Sequence, residues 1–254
     1  MTISTEGKRS ESGLAEGIWV VIQAVLIAVV IRTLLFQPFN IPSGSMKGTL
    51  LVGDYLFVSK YSYGYSHYSM PFSPPLFSGR IFASTPKRGD VVVFRLPKDD
   101  TTDYIKRLIG LPGDRIQMKD GLLYINGKPV KHERVQDFID DENPLFPERV
   151  RRWRETLPEG VSYETLDLQD NGSLDNTDEY VVPAGHYFMM GDNRDNSTDS
   201  RVPQERGGVG YVPFENLIGK AQIVFFSIGN GEPAWHIWSW PWSVRWSRLF
   251  TIVR

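Results

Sequence analysis

The chain has 254 residues, 41% of them hydrophobic, which is enough for one large β domain or two smaller domains with a buried core. Its formal net charge of −2 argues against a nucleic-acid-binding surface. The absence of cysteine excludes a disulfide framework, a cysteine-ligated metal site and a cysteine nucleophile. The four histidines show no metal-ligand spacing, so we expect neither a metal nor another cofactor.

An apolar run, Gly17–Phe36, follows a polar N-terminal tail of residues 1–16. The run has about the length that a bilayer core requires, and Arg32 lies close enough to its end to reach the headgroups. A buried core helix and a cleaved signal peptide are the alternatives, but no small-residue cleavage site follows. We therefore expect a retained transmembrane helix. Lys8 and Arg9 favour a cytoplasmic N-terminus only weakly, because acidic residues are interspersed with them.

After the anchor, short segments rich in β-branched and aromatic residues alternate with turn residues, which predicts a mainly β body. The dipeptide Asn126-Gly127 predicts a hairpin turn. No long helical period competes with these signals. The predicted strands are Asp54–Lys60, Asp90–Leu96, Gly121–Ile125 and Leu217–Ile228.

Two segments interrupt this pattern. The first, Ser62–Lys87, is rich in Tyr, Phe, Ser and Pro and predicts a long loop. The second, Lys131–Asp178, is highly charged and predicts a solvated insertion with one short helix around Pro147–Thr156. The insertion separates a first catalytic part, residues 37–130, from a second part with a tryptophan-rich tail, residues 179–254.

Ser45 lies in a glycine-containing turn just after the anchor, and a serine hydroxyl needs a nearby base to act as a nucleophile. No histidine lies in a recognisable triad context, so lysine is the base to consider. A lysine can serve only if burial lowers its pKa by several units. Lys106 fits, because its neighbours are apolar and strand-like, but each residue alone is more often a loop serine or a strand-edge charge.

Four sequence boxes together resemble those of bacterial type I signal peptidases. The match runs from about Gly17 to Phe226 and leaves out the insertion and the extreme C-terminus. The boxes are Phe39–Asp54, which includes Pro42-Ser43-Gly44-Ser45-Met46, then Arg88–Phe94, Tyr104–Asp114 and Gly191–Arg201.

The resemblance implies a role for each matching residue. Ser45 corresponds to the nucleophile and Lys106 to the general base. Ser43 corresponds to the hydroxyl that forms the oxyanion hole with the Ser45 backbone N–H. Ser197 corresponds to the serine that orients the lysine amine. Asp199 and Arg201 correspond to a supporting ion pair, and the implied substrate-binding residues are Phe39, Ile41, Pro42, Asp103, Tyr104 and Ile105.

The resemblance also implies a function. A membrane-anchored serine endopeptidase of this family removes signal peptides from secretory preproteins, cutting after Ala-x-Ala-like sites, so the body is expected on the periplasmic or outer side. The expected partners are preproteins, the lipid bilayer and, by proximity, the secretion translocon. The alternatives are a pilin- or conjugation-type maturation peptidase and an inactive peptide-binding module. A cytosolic self-cleaving repressor is disfavoured by the anchor and by the missing DNA-binding helices.

The sequence leaves the roles of two features undecided. Lys47-Gly48 stands where the family usually has a residue followed by proline, which alters turn rigidity or places a charge near the site. The tail tryptophans favour either the membrane interface or packing on the β body. These are Trp235, Trp238, Trp240, Trp242 and Trp246.

Overall fold

The computed structural model describes residues 7–140, 147–229 and 231–254. It begins with helix α1, Gly7–Leu34, which contains an unburied apolar span, Gly13–Leu34, with a mean hydropathy of 2.4. By length and composition this span could cross a membrane, and it is the one such helix among the described residues. The predicted end at Phe36 is wrong. The helix stops at Leu34 because Phe36–Asn40 forms strand β1, in which Pro38 cannot continue a helix.

The rest of the described chain is mainly β-structure, as predicted. Short 3₁₀ turns join several strands, among them Gly44–Met46 and His67–Ser69, and a single helical turn, α2, spans Trp240–Ser243. The further strands are β2 Asp54–Ser59, β3 Val91–Arg95, β4 Asp103–Gly110, β5 Arg115–Lys119, β6 Leu122–Ile125, β7 Lys128–Pro129, β8 Lys131–Arg134, β9 Phe138–Asp140, β10 Glu148–Thr156, β11 Ser162–Asp167, β12 Tyr180–Val181, β13 His186–Met190, β14 Val212–Pro213, β15 Leu217–Ser227 and β16 Thr251–Ile252.

One large sheet carries the residues of interest, in the order β1-β2-β15-β3-β4-β13-β14, with β16 added to β15. Residues far apart in the chain are neighbours here, since β15 lies between β2 and β3. Apolar side chains from β2, β3 and β15 bury one core, and the turn after β1 adds to it. Its members include Ile41, Met46, Leu50, Leu56, Val58, Val91, Val93, Ile218, Ala221 and Val224.

The four predicted strands correspond to β2, β3, β6 and β15, within one residue at each end. The predicted hairpin is also confirmed. Asn126 and Gly127 both have positive φ, 54° and 75°, which a tight turn between β6 and β7 requires and which these two residue types tolerate. This hairpin belongs to a second sheet, β12-β5-β6-β7. The predicted loop, Ser62–Lys87, contains one short 3₁₀ turn and an isolated bridge from Tyr65 to Ile81.

The predicted helix around Pro147–Thr156 is wrong, because Glu148–Thr156 forms the strand β10. This strand pairs with β8, β9 and β11 in a third sheet, and Arg154 lies opposite both Glu133 and Glu164. Charged residues favour helix locally, but pairing on both sides of β10 overrides that preference. The insertion is also less solvated than expected, since Glu155 is 1% exposed.

Candidate active site

Ser45 and Lys106 meet at the large sheet although 61 residues separate them. Ser45 lies in the 3₁₀ turn Gly44–Met46, which follows β1, and Lys106 lies on β4. Both side chains are buried, and Lys106 Nζ donates to Ser45 Oγ over 2.6 Å. Lys106 Nζ also contacts the carbonyl oxygen of Ile105 at 3.1 Å. The two buried side chains are therefore in direct hydrogen-bond contact.

Burial lowers the pKa of Lys106 to about 8. The removal of water penalises the ammonium form, and this effect outweighs the opposing influence of the Asp199 and Asp192 carboxylates. The Arg201 guanidinium lowers the pKa further. A pKa of about 8 leaves a minority of Lys106 neutral near physiological pH, and this neutral form can accept the proton of a serine hydroxyl.

Two hydrogen-bond donors lie beside the Ser45 hydroxyl. Ser43 is extended, with φ −131° and ψ 153°, and its Oγ lies 3.5 Å from Ser45 Oγ. The Ser45 backbone N–H belongs to the first residues of a 3₁₀ turn, whose N–H groups have no acceptor within the turn. A hydroxyl and a main-chain N–H at the start of the same turn can together stabilise an oxygen that becomes negatively charged beside them.

The segment Gly191–Asn193 holds this turn in place, a role that sequence reasoning missed. The Asn193 backbone N–H donates to the Ser45 carbonyl oxygen, and Asn193 Nδ2 donates to the Gly44 carbonyl oxygen, each over 3.1 Å. A Cβ at Gly191 would lie 2.5 Å from the Ser45 carbonyl oxygen and 2.2 Å from Ser197 Oγ, so only glycine fits there. In the sequence, the signal for this role was the position of Gly191 at the start of the fourth box, Gly191–Arg201.

A second buried network lies behind the turn. Arg107, which is fully buried, binds Asp192 through Nε and Nη2 at 2.8 and 2.7 Å. Its Nη2 also donates to Thr49 Oγ1, and Thr49 in turn donates to Asp192. Two parallel hydrogen bonds between a guanidinium and a carboxylate hold both groups in one geometry. The pair therefore fixes β4, which carries Lys106, to the segment that carries Asn193.

The predicted ion pair of Asp199 and Arg201 is present. Arg201 donates to both carboxylate oxygens at 2.9 and 2.8 Å, and both side chains are buried. Asp199 also accepts from the Gly191 N–H at 3.0 Å. Because the Arg201 guanidinium offsets burial, the pKa of Asp199 lies below its usual value and the carboxylate stays charged.

Ser197 lines the same cleft, but the predicted hydrogen bond from it to Lys106 is not present in this structure. Its Oγ is buried and has no hydrogen-bond partner within the described part of the chain. Lys106 instead contacts Ser45 and the Ile105 carbonyl oxygen. The orienting role of Ser197 stays a prediction.

A cleft of about 580 Å³ opens in front of Ser45. Four of the predicted substrate-binding residues line it, but Phe39 and Ile41 do not. Ile41 is buried in the core, and Phe39 packs against that core. The lining residues are Pro42, Ser43, Gly44, Ser45, Thr102, Asp103, Tyr104, Ile105, Lys106, Leu174, Asp195, Asn196, Ser197, Thr198 and Val202.

One edge of β4 is open along this cleft. β4 pairs with β3 from Asp103 to Arg107, whereas on its other side β13 pairs only from Arg107 onward. Backbone groups at Asp103–Ile105 therefore face the cleft without a neighbouring strand. An open edge of this kind can take an extended peptide as an added strand.

The insertion packs directly against the turn that carries Ser45. Lys47 is buried, and its Nζ lies 2.5 Å from Asp140 Oδ2 at the end of β9. The backbone oxygen of Glu164, on β11, lies 2.8 Å from where a Cβ of Gly48 would be. Lys47-Gly48 thus takes the place of a rigid proline by docking on the insertion, and its charge is paired.

These features agree with the comparisons to known proteins. The model of the family "Signal peptidase, peptidase S26" matches residues 14–226, and the chain belongs to this family of peptidases. It is 46% identical over 243 residues to signal peptidase I of Rickettsia conorii, covering 89% of this chain and 88% of the relative. Signal peptidase I of Rickettsia typhi is equally similar, at 46% identity, with 89% of each chain covered.

A solved structure was also found, a signal peptidase I from Enterococcus faecalis. It shares 26% sequence identity and a TM-score of 0.33 with this chain, and the match covers 54% of this chain and 97% of the other.

Proposed function

We propose that this chain is a membrane-anchored signal peptidase, a serine endopeptidase that removes N-terminal signal peptides from preproteins with a Ser45/Lys106 dyad. The contact of 2.6 Å between Lys106 Nζ and Ser45 Oγ, made by a buried lysine whose pKa is lowered to about 8, carries this proposal. The family and the relatives named signal peptidase I supply the substrate class.

The first half of the reaction forms an acyl-enzyme. Neutral Lys106 accepts the Ser45 proton as Ser45 Oγ attacks the scissile carbonyl carbon. The carbonyl oxygen becomes an oxyanion, which accepts hydrogen bonds from the Ser43 hydroxyl and the Ser45 backbone N–H. Collapse of this intermediate breaks the C–N bond, and the Lys106 ammonium protonates the leaving amine.

The second half hydrolyses the acyl-enzyme. Lys106, neutral again, accepts a proton from water as the water oxygen attacks the ester carbonyl. The same donors stabilise the second oxyanion, and Lys106 returns the proton to Ser45 Oγ as the signal peptide leaves. The buried pair of Asp199 and Arg201 keeps the loop beside the amine in place throughout.

The substrate is proposed to bind as an added strand along Asp103–Ile105, next to Pro42 and Ser43. Side chains of an extended peptide alternate in direction, so those one and three residues before the cut point the same way, toward the protein. Shallow apolar pockets there exclude large groups, which yields the preference for Ala-x-Ala.

The body is proposed to lie on the periplasmic or outer face of the plasma membrane, close to the translocon and in contact with the bilayer. The single apolar span of α1 supports one crossing. An aromatic path along the sheet, Phe36–Phe57–Phe225–Tyr55–Phe226–Trp240, runs from the end of α1 toward the tail. Aromatic side chains favour the interface between lipid and water.

Cleavage of a purified preprotein in detergent micelles tests this function. We expect the wild-type chain and a control, Ser78→Ala, which changes an exposed loop serine, to release the mature protein, and Ser45→Ala to release none. A maturation peptidase of the pilin or conjugation type would leave preproteins with Ala-x-Ala sites intact and cut its own substrate. An inactive peptide-binding module would cut neither, and cleavage by Ser45→Ala would remove the dyad mechanism.

A further inference from the structure

A second cavity, of about 210 Å³, lies where α1 meets the body, and it shares only Asp103 with the lining of the catalytic cleft. The end of the anchor forms one wall, and the start of β1 and the loop before β3 form others. Its lining residues are Arg32, Gln37, Tyr68, Met70, Pro71, Phe72, Ser73, Arg95, Asp103 and Ile218.

Cationic groups crowd around this cavity. Arg32 has no ion pair within the described ranges, whereas Arg95 binds Asp103 at 2.7 Å. Lys60 is buried nearby and donates to the carbonyl oxygen of Ser69 at 2.5 Å. Burial first, and then the charges of Arg32 and Arg95, lower the pKa of Lys60 to about 8. Of the charged residues that line the cavity, Arg32 and Arg95 are cations and Asp103 is an anion, so positive charge is in excess in the lining.

Like charges that lie near one another repel, although Arg32 is exposed and solvent weakens its repulsion with the other cations. An anion placed between Arg32 and Arg95 would relieve this repulsion. It would also accept hydrogen bonds from the two guanidinium groups and from the Gln37 amide, which is the donor set that a phosphate group favours.

The rim of the cavity is apolar and faces outward. Phe72, which lines the cavity, is fully exposed and has a φ of 62°, a conformation that side chains other than Asn and Asp rarely adopt. Farther along the same loop, Leu76 is 72% exposed and Phe82 is 84% exposed. Large apolar groups presented this way beside the end of a membrane anchor are suited to contact acyl chains.

We propose that this cavity binds the phosphate group of a membrane phospholipid, with Arg32 and Arg95 on the phosphate and Phe72 against the acyl chains. The proposal rests on the proposed spanning of the bilayer by α1, since Arg32 lies in its last turn and therefore at headgroup depth. An anionic lipid is the expected occupant, because the charge around the cavity is in positive excess. The site would fix the tilt of the body relative to the bilayer.

Native mass spectrometry of the full chain in an uncharged detergent tests the site. Four probes are titrated separately: dihexanoyl phosphatidylglycerol, glycerol 3-phosphate, inorganic phosphate, and dioctanoylglycerol, which has acyl chains but no phosphate. We expect one phosphatidylglycerol to bind, and Arg32→Gln to weaken it by roughly tenfold or more, the usual effect of losing a charged hydrogen bond. The control Arg115→Gln removes an arginine that is 61% exposed and lies in the second sheet, and it should bind as the wild type does.

Two further comparisons separate the phosphate from the acyl chains. Phe72→Ser should weaken the binding of phosphatidylglycerol and leave the binding of glycerol 3-phosphate unchanged. Equal binding of the lipid by Arg32→Gln and wild type, or binding of dioctanoylglycerol as tight as that of the phospholipid, would overturn the site. If inorganic phosphate binds as tightly as the lipid, the ligand of this site is a free anion and the lipid proposal is wrong.

Cleavage of a short soluble peptide is measured with the same proteins. We expect Arg32→Gln to cleave the peptide as the wild type does and to lose lipid binding. Lipid binding by a wild-type chain that does not cleave would instead contradict the proposed function and leave the lipid site standing.

Discussion

Lys106 combines two properties that its proposed role as the general base requires, namely contact with the Ser45 hydroxyl and burial that lowers its pKa. The pKa of about 8 means that the ammonium form dominates in acid and the neutral form in alkali. A base acts in its neutral form, so activity must rise as the pH rises through this value.

We therefore expect kcat to increase with pH and to level off above about pH 8, as Lys106 loses its proton. Lys106→Arg should be as inactive as Lys106→Met, because a guanidinium does not deprotonate in this range. Lys98→Arg, at a polar turn, serves as the control. Initial rates on a soluble peptide measure this, and a flat profile from about pH 6 to 10, with chemistry rate-limiting, contradicts the assignment.

Ser43 is expected to act on the transition state and not on substrate binding, because its hydroxyl lies 3.5 Å from Ser45 Oγ on the side of the cleft. Ser43→Ala should lower kcat by roughly 10²- to 10³-fold with little change in KM. Ser43→Thr should retain more activity, since its hydroxyl can still donate. Steady-state kinetics separate the two parameters, and a loss confined to KM would make Ser43 a binding residue.

Among the elements, the insertion strands matter more than their charge suggests. Arg194, in the loop that holds the Ser45 turn, is buried and forms a two-pronged pair with Glu155 on β10. Tyr163 on β11 donates to the same carboxylate at 2.7 Å. Leu166 on β11 exchanges backbone hydrogen bonds with this loop, donating to Asp192 and accepting from Arg194. The third sheet thus supports the site from behind.

Glu155→Gln should destabilise the protein by about 3–5 kcal/mol, because it leaves the buried Arg194 charge unpaired. Glu159→Gln is the matched control. Glu159 binds Arg88, but the Glu159 side chain is 46% exposed, and Arg88 retains its ion pair with Asp114. We therefore expect this control to lose less than about 1 kcal/mol of stability. Thermal unfolding in detergent compares the two, and equal shifts in Tm would mean that the insertion does not depend on this pair.

For the whole molecule, we expect placement at the membrane to depend on α1 and on the tail. Trp235, Trp238, Trp242 and Trp246 are at least 60% exposed, whereas Trp240 packs on Phe226 and donates to the Ala234 carbonyl oxygen. The two hypotheses for the tail therefore divide between its residues. Trp240 is a packing residue, and the exposed rings are available to lipid.

In vesicles that contain brominated lipids, we expect part of the tryptophan emission to be quenched. Changing Trp238 and Trp242 to Ser should reduce the quenched fraction, because interfacial rings lie near the bromine atoms. Trp153→Phe, in the insertion, is the control and should leave that fraction unchanged. An unaltered quenched fraction in the tail variant would remove the interfacial role.

The orientation of the whole chain is tested by protease added outside spheroplasts. With the N-terminus inside and one crossing at α1, the body should be digested and a small protected N-terminal fragment should remain. A cytoplasmic marker protein must stay intact in the same sample. Protection of the body until lysis would place it in the cytosol and contradict its access to translocated preproteins.

Local signals in the sequence were sufficient for the apolar helix, four strands and the Asn126-Gly127 turn. Each depends on hydropathy, alternation or turn chemistry within a few residues, and such signals survive without knowledge of the rest of the chain. The family resemblance supplied the four boxes, among them those that contain Ser45, Lys106, Asp199 and Arg201, and the roles expected of these residues.

Only the tertiary structure decided which residues meet. It brought Lys106 to Ser45, turned the charged stretch at Glu148–Thr156 into a strand, and placed Ile41 in the core instead of the cleft. It also revealed the support from Asn193 and the pairing of Lys47 with Asp140. Strand pairing, burial and the resulting pKa shifts arise from contacts between distant segments, and no local pattern encodes those contacts.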